Sequence, residues 1–410
     1  MIRPILTLCL LLSTLVLSGQ SLEGYWKMAA ENNPSLKASF NKYLAALERV
    51  DQQGSLPDPN LSFGVFISPV ETRVGAQRLR MSVSQMFPWM GTLEERKTMA
   101  VRLAEASFAE FEEARNALFL KVSETWLQLL ELEKEIALSK ENLKLLRSYE
   151  PIVKTKYEAN LTSLADLIRV QIRIEEASTQ LTLLELRKTP LISDFNTYLN
   201  RPVDTPVILT ETLPVDSEVS VDSVLVKNPK VIQNQYLQQA AQSQLKLSQL
   251  KRKPSLGVGL DYVFVSERTD MAVADNGKNI IMPMVSMSLP IFGKKNKAQI
   301  KEAELMQESL QHEAVGIKNT LKNEWTKATY LEQSAEQELQ LYASEISNTK
   351  ALLNVLTSEY SNNSSNFEEL LMTQQRLLQL QIAEARSQTR QQRSQLIKQY
   401  LSGNFLPLNP

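Results

Sequence analysis

The residue types that ordinarily carry chemistry are few in this sequence. His312 is the single histidine, and it stands between Gln311 and Glu313 in a long run without proline. A metal site needs several converging ligands, so a lone histidine here reads as a solvated side chain. No serine and carboxylate can be grouped around it as a nucleophilic triad. Cys9 is the only cysteine and lies in the apolar N-terminal segment. The rest of the chain therefore has no thiol for a disulfide, a thiolate nucleophile or a soft-metal site. There is no Gly-Lys-Ser/Thr phosphate loop, so the chain does not itself spend nucleotide. Met282, Met284 and Met287 cluster within six residues. Thioethers can hold Cu(I), and Met282 and Met284 would share one strand face. Flexible packing is the commoner role of methionine. The expectation is a protein that is not an enzyme, with no resident metal and no cofactor.

The bulk properties narrow the class further. Lys plus Arg number 45 and Asp plus Glu 46 over 410 residues, so no basic excess points to nucleic acid. Only 12 glycines occur, and Leu, Glu, Gln, Lys, Ser and Ala dominate, as in long helices. Residues 1–20 begin with Arg3, continue as an apolar run from Ile5 to Leu17, and end in Ser18-Gly19-Gln20. The apolar run is well short of the ~20 residues a spanning helix needs. It reads as a secretory signal peptide cleaved near Gln20 or Ser21. No other stretch is apolar enough for a transmembrane helix, so a membrane crossing would have to be a barrel.

The chain repeats itself. Asn32-Asn33-Pro34 recurs as Lys227-Asn228-Pro229, and Pro59-Asn60-Leu61 as Pro254-Ser255-Leu256, both 195 positions on. Pro88-Trp89-Met90-Gly91 recurs as Pro290-Ile291-Phe292-Gly293 at 202, and Tyr157-Glu158-Ala159-Asn160 as Tyr360-Ser361-Asn362-Asn363 at 203. A longer loop in the second copy, within 266–279, accounts for the slip. Two copies follow, about 21–200 and 218–403, joined by a Pro-rich linker at 201–217 and followed by a tail at 404–410.

Each copy begins with a helix, about 21–53 and about 220–251, that stops before prolines. Two zigzag segments come next, over about 61–67 and 78–87, then about 255–265 and 280–289. Leu61, Phe63, Val65 and Ile67 alternate with Ser62, Gly64 and Phe66, and Leu256, Val258, Leu260, Tyr262 and Phe264 with Gly257, Gly259 and Asp261. A half-buried soluble sheet gives this pattern too. With no second sheet to cover it, lipid is the natural cover, and Arg78, Arg80 and Asp261 then fall on the water-lined lumen face. Trp89 beside Phe87 suits a membrane interface or ordinary packing. Four strands cannot close a barrel, because the smallest membrane barrels use ~8, so closure needs further copies.

Two rods follow. Residues from Thr92 to about Asn160 contain one proline, Pro151, and no glycine; those from Lys294 to about Ser358 contain one glycine, Gly316. About 65 residues of helix span roughly 100 Å. Val122, Leu129, Ile136 and Leu143 recur every seven, with Leu118, Leu132 and Leu146 at the partner position. Trp325, Leu339, Ile346, Leu353 and Tyr360 repeat one seam and Leu321, Ala328, Ala335, Tyr342 and Leu356 the other, with Glu332 and Thr349 as misfits. That spacing predicts left-handed coiled-coil pairing. The rods end in tips at 157–163 and 360–366. Asn160 and Asn363 suit a left-handed turn, and Thr162 or Ser163, and Ser365 or Asn366, can cap return helices over about 164–199 and 367–402.

The ordered set of duplicated Asn-Pro, strand pairs ending in Pro-x-x-Gly, and the Tyr-x-x-Asn tip followed by an acid and leucine (Asp166-Leu167, Glu369-Leu370) resembles the TolC family of outer-membrane efflux proteins. The family usually carries Gly at Asn160 and Asn363. Leu56-Pro57-Asp58-Pro59 with the Gln85–Gly91 stretch is most similar to its heavy-metal RND-type branch. The resemblance implies a mainly α fold with a membrane β-barrel portion. Each of two tandem repeats would hold a helix, two strands and a long coiled-coil hairpin. A homotrimer would form a barrel of about twelve strands above a helical periplasmic tunnel. It implies an outer-membrane location with a large periplasmic part. The partners implied are outer-membrane lipid, a periplasmic adaptor and an inner-membrane RND-type pump, with Tyr157, Asn160, Tyr360 and Asn363 at the docking tips.

The resemblance also implies an acidic ring at the closed entrance, matching Glu369 with Glu368 beside it. Met372 stands where the family has a second acid. The first copy offers Asp166, with Arg169 nearby to pair. Carboxylates converging on a threefold axis make a cation-attracting constriction. First-turn acids also complement a helix N-terminus, and both roles can coexist. The expected function is a passive exit duct. The alternative is a periplasmic coiled-coil adaptor or structural protein.

Overall fold

The computed structural model describes residues 21–210, 221–362, 367–403 and 405. The expected signal segment, Asn363 with the candidate caps Ser365 and Asn366, residues 211–217 of the linker and nearly all of the tail lie outside the described residues.

In chain order the elements are α1 (Leu22–Asn32), α2 (Pro34–Gly54), β1 (Asn60–Thr72), β2 (Gly75–Phe87), α3 (Thr92–Glu158) and α4 (Leu164–Tyr198). Then come α5 (Val221–Lys227), α6 (Pro229–Leu250), β3 (Ser255–Ser266), β4 (Ile280–Ser288), α7 (Gly293–Ser361) and α8 (Phe367–Leu401). The fold is mainly α with one four-stranded sheet, as expected. The opening helix of each copy, expected as one piece, is two. Pro34 and Pro229 push the residue before them out of the helical region. Asn33 accordingly sits at φ −63°, ψ 121° and caps α2 by accepting from Leu36 N at 3.1 Å.

The first strand pair is longer than expected. β1 runs on to Thr72 and β2 starts at Gly75, leaving a two-residue turn. The alternation is lost there because the register shifts between Val65 and Val70, around Pro69. Gly75 is required at this turn: its φ is +133°, and a Cβ would lie 1.8 Å from the Ser266 carbonyl oxygen.

The chain divides into two compact units, each drawing on both sequence copies. One holds the described residues within Met1–Ser39, Glu112–Pro229 and Lys318–Pro410; the other holds Phe40–Phe111 and Lys230–Ile317.

In the first unit the heptad seams are packed as the spacing predicts. Leu118, Val122, Leu129, Leu132, Ile136, Leu143 and Leu146 of α3 are buried, as are Leu321, Ala328, Ala335, Ile346 and Leu356 of α7. The misfit Glu332 is explained by Lys398, which pairs with it from α8. Arginines of α8 tie it alternately to both rods: Arg386 to Glu135 and Arg393 to Glu124 on α3, Arg376 to Glu345 and Arg390 to Glu338 on α7. At its other end Trp26 stacks on Phe119 at 5.8 Å and donates to Ser123 Oγ at 2.8 Å. Asn196 Nδ2 donates to the Val203 and Thr205 carbonyls, both at 2.9 Å, fastening the chain after α4.

In the second unit α2 and α3 share an aromatic cluster of Phe40, Tyr43, Phe108 and Phe111. Asn234 of α6 donates to the Leu310 carbonyl at 3.3 Å, and Lys246 pairs with Glu95 at 2.9 Å. This unit carries the sheet, ordered β1-β2-β3-β4 and antiparallel throughout.

Candidate functional site

Two places carry the function-bearing residues: the sheet, and the helix tips.

Side chains of directly opposed residues share a sheet face. One row reads Leu61, Val83, Leu260, Pro283, and the next Phe63, Met81, Tyr262, Ile281. These rows form one apolar face. It is open: Val65 is 72% exposed, Val285 82% and Ile67 96%, with Phe63 and Leu256 also exposed. Gln85, opposite Val258, is the polar residue in these rows, and an exposed apolar surface of this kind marks a site for lipid or another chain. The opposite face reads Ser62, Ser82, Asp261, Met282 and Gly64, Arg80, Val263, Ile280. Asp261 is fully buried there and forms an ion pair with Arg80. Arg80 Nη2 also lies 3.9 Å from Met284 Sδ. Met282 and Met284 share this polar face, whereas Met287 lies opposite Leu256 on the apolar one.

Arg80 and Asp261 are thus brought together, and Arg78 is not with them. Arg78 is the extra residue at the register shift between Gln77 and Leu79, exposed, donating to Ser266 Oγ at 3.2 Å. No helix among the described residues is long and apolar enough to cross a membrane.

At the first tip, α3 ends at Glu158 and Asn160 takes φ +55°, the left-handed turn for which its type is suited. Ser163 is the N-cap of α4 in a reciprocal capping box with Asp166. Asp166 Oδ2 accepts from the Thr162 hydroxyl at 2.7 Å and from the Ser163 hydroxyl at 2.8 Å. Burial alone would raise the Asp166 pKa. The Thr162, Ser163 and Arg169 hydrogen bonds outweigh it and hold the carboxyl below its ordinary range.

Arg169 reaches two carboxylates at once: Asp166 at 2.9 Å on its own helix and Glu368 at 3.3 Å on α8. So two of the three expected constriction residues meet through Arg169. Glu369 is exposed in the first turn of α8 beside Glu368. Tyr157 is exposed, whereas Tyr360 is buried in a tip core with Val153, Val170, Leu356, Phe367 and Leu370. Lys156 Nζ donates to the Tyr360 carbonyl and stands 4.2 Å from its ring centroid. Lys156 had no signal in the sequence, because its partner lies 204 residues away. His312 is exposed, 3.8 Å from Glu308.

The family model for outer membrane efflux proteins matches residues 26–189. Solved structures share the fold over nearly the whole chain. CusC superposes with a TM-score of 0.80 at 14% identity, covering 94% of this chain and 92% of its own. The outer membrane protein VceC from Vibrio cholerae gives 0.79 at 16%, covering 93% and 96%. A membrane protein from Pseudomonas aeruginosa gives 0.78 at 16%, covering 93% of each chain. No curated protein matches by sequence. The chain therefore has the fold of outer-membrane channel proteins, with a sheet whose apolar face is exposed and whose edges are unpaired among the described residues.

Proposed function

We propose that this chain is one subunit of an outer-membrane efflux duct. Three copies would align their four-stranded sheets into a barrel of about twelve strands, with the apolar face toward lipid and Arg80, Asp261 and the arginine at the bulge, Arg78, toward the lumen. The helical hairpins would continue the duct into the periplasm. Substrate would be delivered there by an inner-membrane RND-type pump through an adaptor docked at the tips around Tyr157, Asn160, Tyr360 and Asn363. The duct itself is passive. Residues 1–20 would direct export, and the likeness of Leu56-Pro57-Asp58-Pro59 and the Gln85–Gly91 stretch to the heavy-metal branch supports reading the duct as one of that branch.

The observation that carries this reading is the open apolar face, from Phe63 and Val65 across to Ile281 and Val285, on a sheet whose two edges are unpaired among the described residues. A soluble protein has no cover for it. A periplasmic adaptor would have no use for it. Membrane fractionation tests the proposal. A heat-modifiable oligomer in the outer-membrane fraction, conducting in planar bilayers, is expected. A soluble monomer in osmotic-shock fluid would overturn it.

At the entrance, Asp166 and Glu368 are tied by Arg169. Glu369 is left as the carboxylate best placed to form the ring near the axis. Arg169→Ala would release the two return helices from one another and raise single-channel conductance. Glu369→Gln would reduce cation preference without opening the duct. Unchanged conductance and selectivity in both variants would remove the gate assignment while leaving the duct.

A further inference from the structure

Met282 and Met284 have company on the polar face of the sheet. Met86 of β2 stands opposite Gly257, whose other neighbour is Ser286, so it joins that face from the far side of β3. Met287 does not, because it stands opposite Leu256. Three thioethers from two strands thus flank β3 on one face. Residues 86 and 284 are far apart in the chain, and only the strand register brings them to the same strip.

The glycines of β3 make room for them. A Cβ at Gly257 would lie 2.5 Å from Met86 Sδ, and one at Gly259 would lie 3.5 Å from Met284 Cε. Met86 and Met284 therefore lean from opposite sides onto one bare stretch of backbone. Each sulfur has a polar donor beside it. The Ser286 hydroxyl lies 3.7 Å from Met86 Sδ, and Arg80 Nη2 lies 3.9 Å from Met284 Sδ.

Packing does not account for this placement. Apart from the methionines, the rungs of Met282, Met284 and Met86 carry only serine, asparagine, aspartate and glycine. Methionine fills gaps between apolar side chains, and these rungs offer none. Met282 is 42% exposed, and Met86 and Met284 are half-buried. In the Met282 rung Asp261 is fully buried. One of its oxygens pairs with Arg80, and the other, Oδ1, has no hydrogen-bond partner among the described residues.

We propose that Met86 and Met284, with Met282 beside them, form a thioether site for a soft monovalent metal ion, Cu(I) or Ag(I). Soft sulfur ligands favour such ions over hard ones such as Mg(II) and Mn(II), which take oxygen. The unbranched methionine side chain has three rotatable bonds, so both sulfurs can close on an ion above the glycines. A single positive charge is also the least opposed by Arg80, whose own charge is offset by Asp261. That the ion is cargo in passage rests on the duct reading above, in which these rungs face the lumen. The binding itself needs only the folded sheet.

The test uses the full chain purified in detergent, titrated with Cu(I) under reducing conditions against a chromophoric Cu(I) chelator. One Cu(I) per chain is expected, with sulfur ligation in its X-ray absorption spectrum and no competition from excess Mg(II). Met86→Leu and Met284→Leu roughly conserve volume. Each should weaken binding by about tenfold or more, and the double variant should abolish it. Met287→Leu, on the apolar face, should leave binding unchanged. Failure of the unsubstituted chain to bind Cu(I), undiminished binding in the double variant, or an equal loss in Met287→Leu overturns the site. Cu(I) bound as expected by a chain that proves to be a soluble monomer overturns the duct reading and leaves the site standing.

Discussion

Asn228 Nδ2 donates to the Leu401 carbonyl at 2.8 Å, just as Asn33 Nδ2, in the first copy, donates to the Tyr198 carbonyl at 3.0 Å. In each copy the asparagine before the helix-starting proline satisfies a carbonyl at the end of the return helix, which has no partner within the helix. Asn228 is buried and Asn33 only half-buried. Asn228→Ala should therefore cost about 1–3 kcal/mol, from leaving a buried acceptor unmade. Asn33→Ala should cost about 1 kcal/mol or less. Chemical denaturation of the detergent-solubilised protein ranks the two.

Glu135 is 1% exposed and its carboxylate is held by Arg386 of α8. Glu131, one turn away, has its pKa raised by burial and by the Glu135 charge. Removing the arginine would leave Glu135 buried and uncompensated. Arg386→Ala is expected to destabilise by about 3 kcal/mol, the low end for a broken buried pair because the arginine is itself half exposed. Adding Glu135→Leu should recover most of the loss. A double variant as unstable as the single one would show that the pair is not the cause.

The first tip should be pH-dependent through Asp166. Its folded-state pKa is depressed, so its stabilisation is complete above the ordinary aspartate pKa of about 3.9 and is lost as pH falls through the lowered folded value. Amide exchange over residues 164–168 should stay slow from neutral pH to about 4 and quicken below it. Loss of the cap is worth about 1 kcal/mol. Asp166→Asn should abolish that acid transition.

The two faces of the sheet should answer differently to the same substitution. Val65→Arg places a charge on the open apolar face, at about 2–4 kcal/mol if that face meets lipid. Ser84→Arg places it on the polar face, where it should be tolerated. The fraction of chain recovered in the membrane reports the difference, and equal recovery would remove the lipid assignment.

Residue order alone carried a great deal of this protein. The seven-residue spacing from Val122 to Leu143, the zigzag of Leu61 to Ile67, and the turn-forming Asn160 act through contacts within one helix turn or one strand. Local periodicity records such contacts directly. The expected bounds of α4 and α8 fell within a residue or two of those observed for the same reason. The breaks after Asn33 and Asn228 were missed, although the prolines that cause them stood in plain view. What only the folded chain decided is which distant groups meet. β2 pairs with β3 across the two copies, Arg80 meets Asp261, and Arg169 bridges Asp166 to Glu368. These pairings join residues far apart in sequence, and no local pattern selects among the charges that could have met. The geometry of the packed rods and the strand register makes that selection.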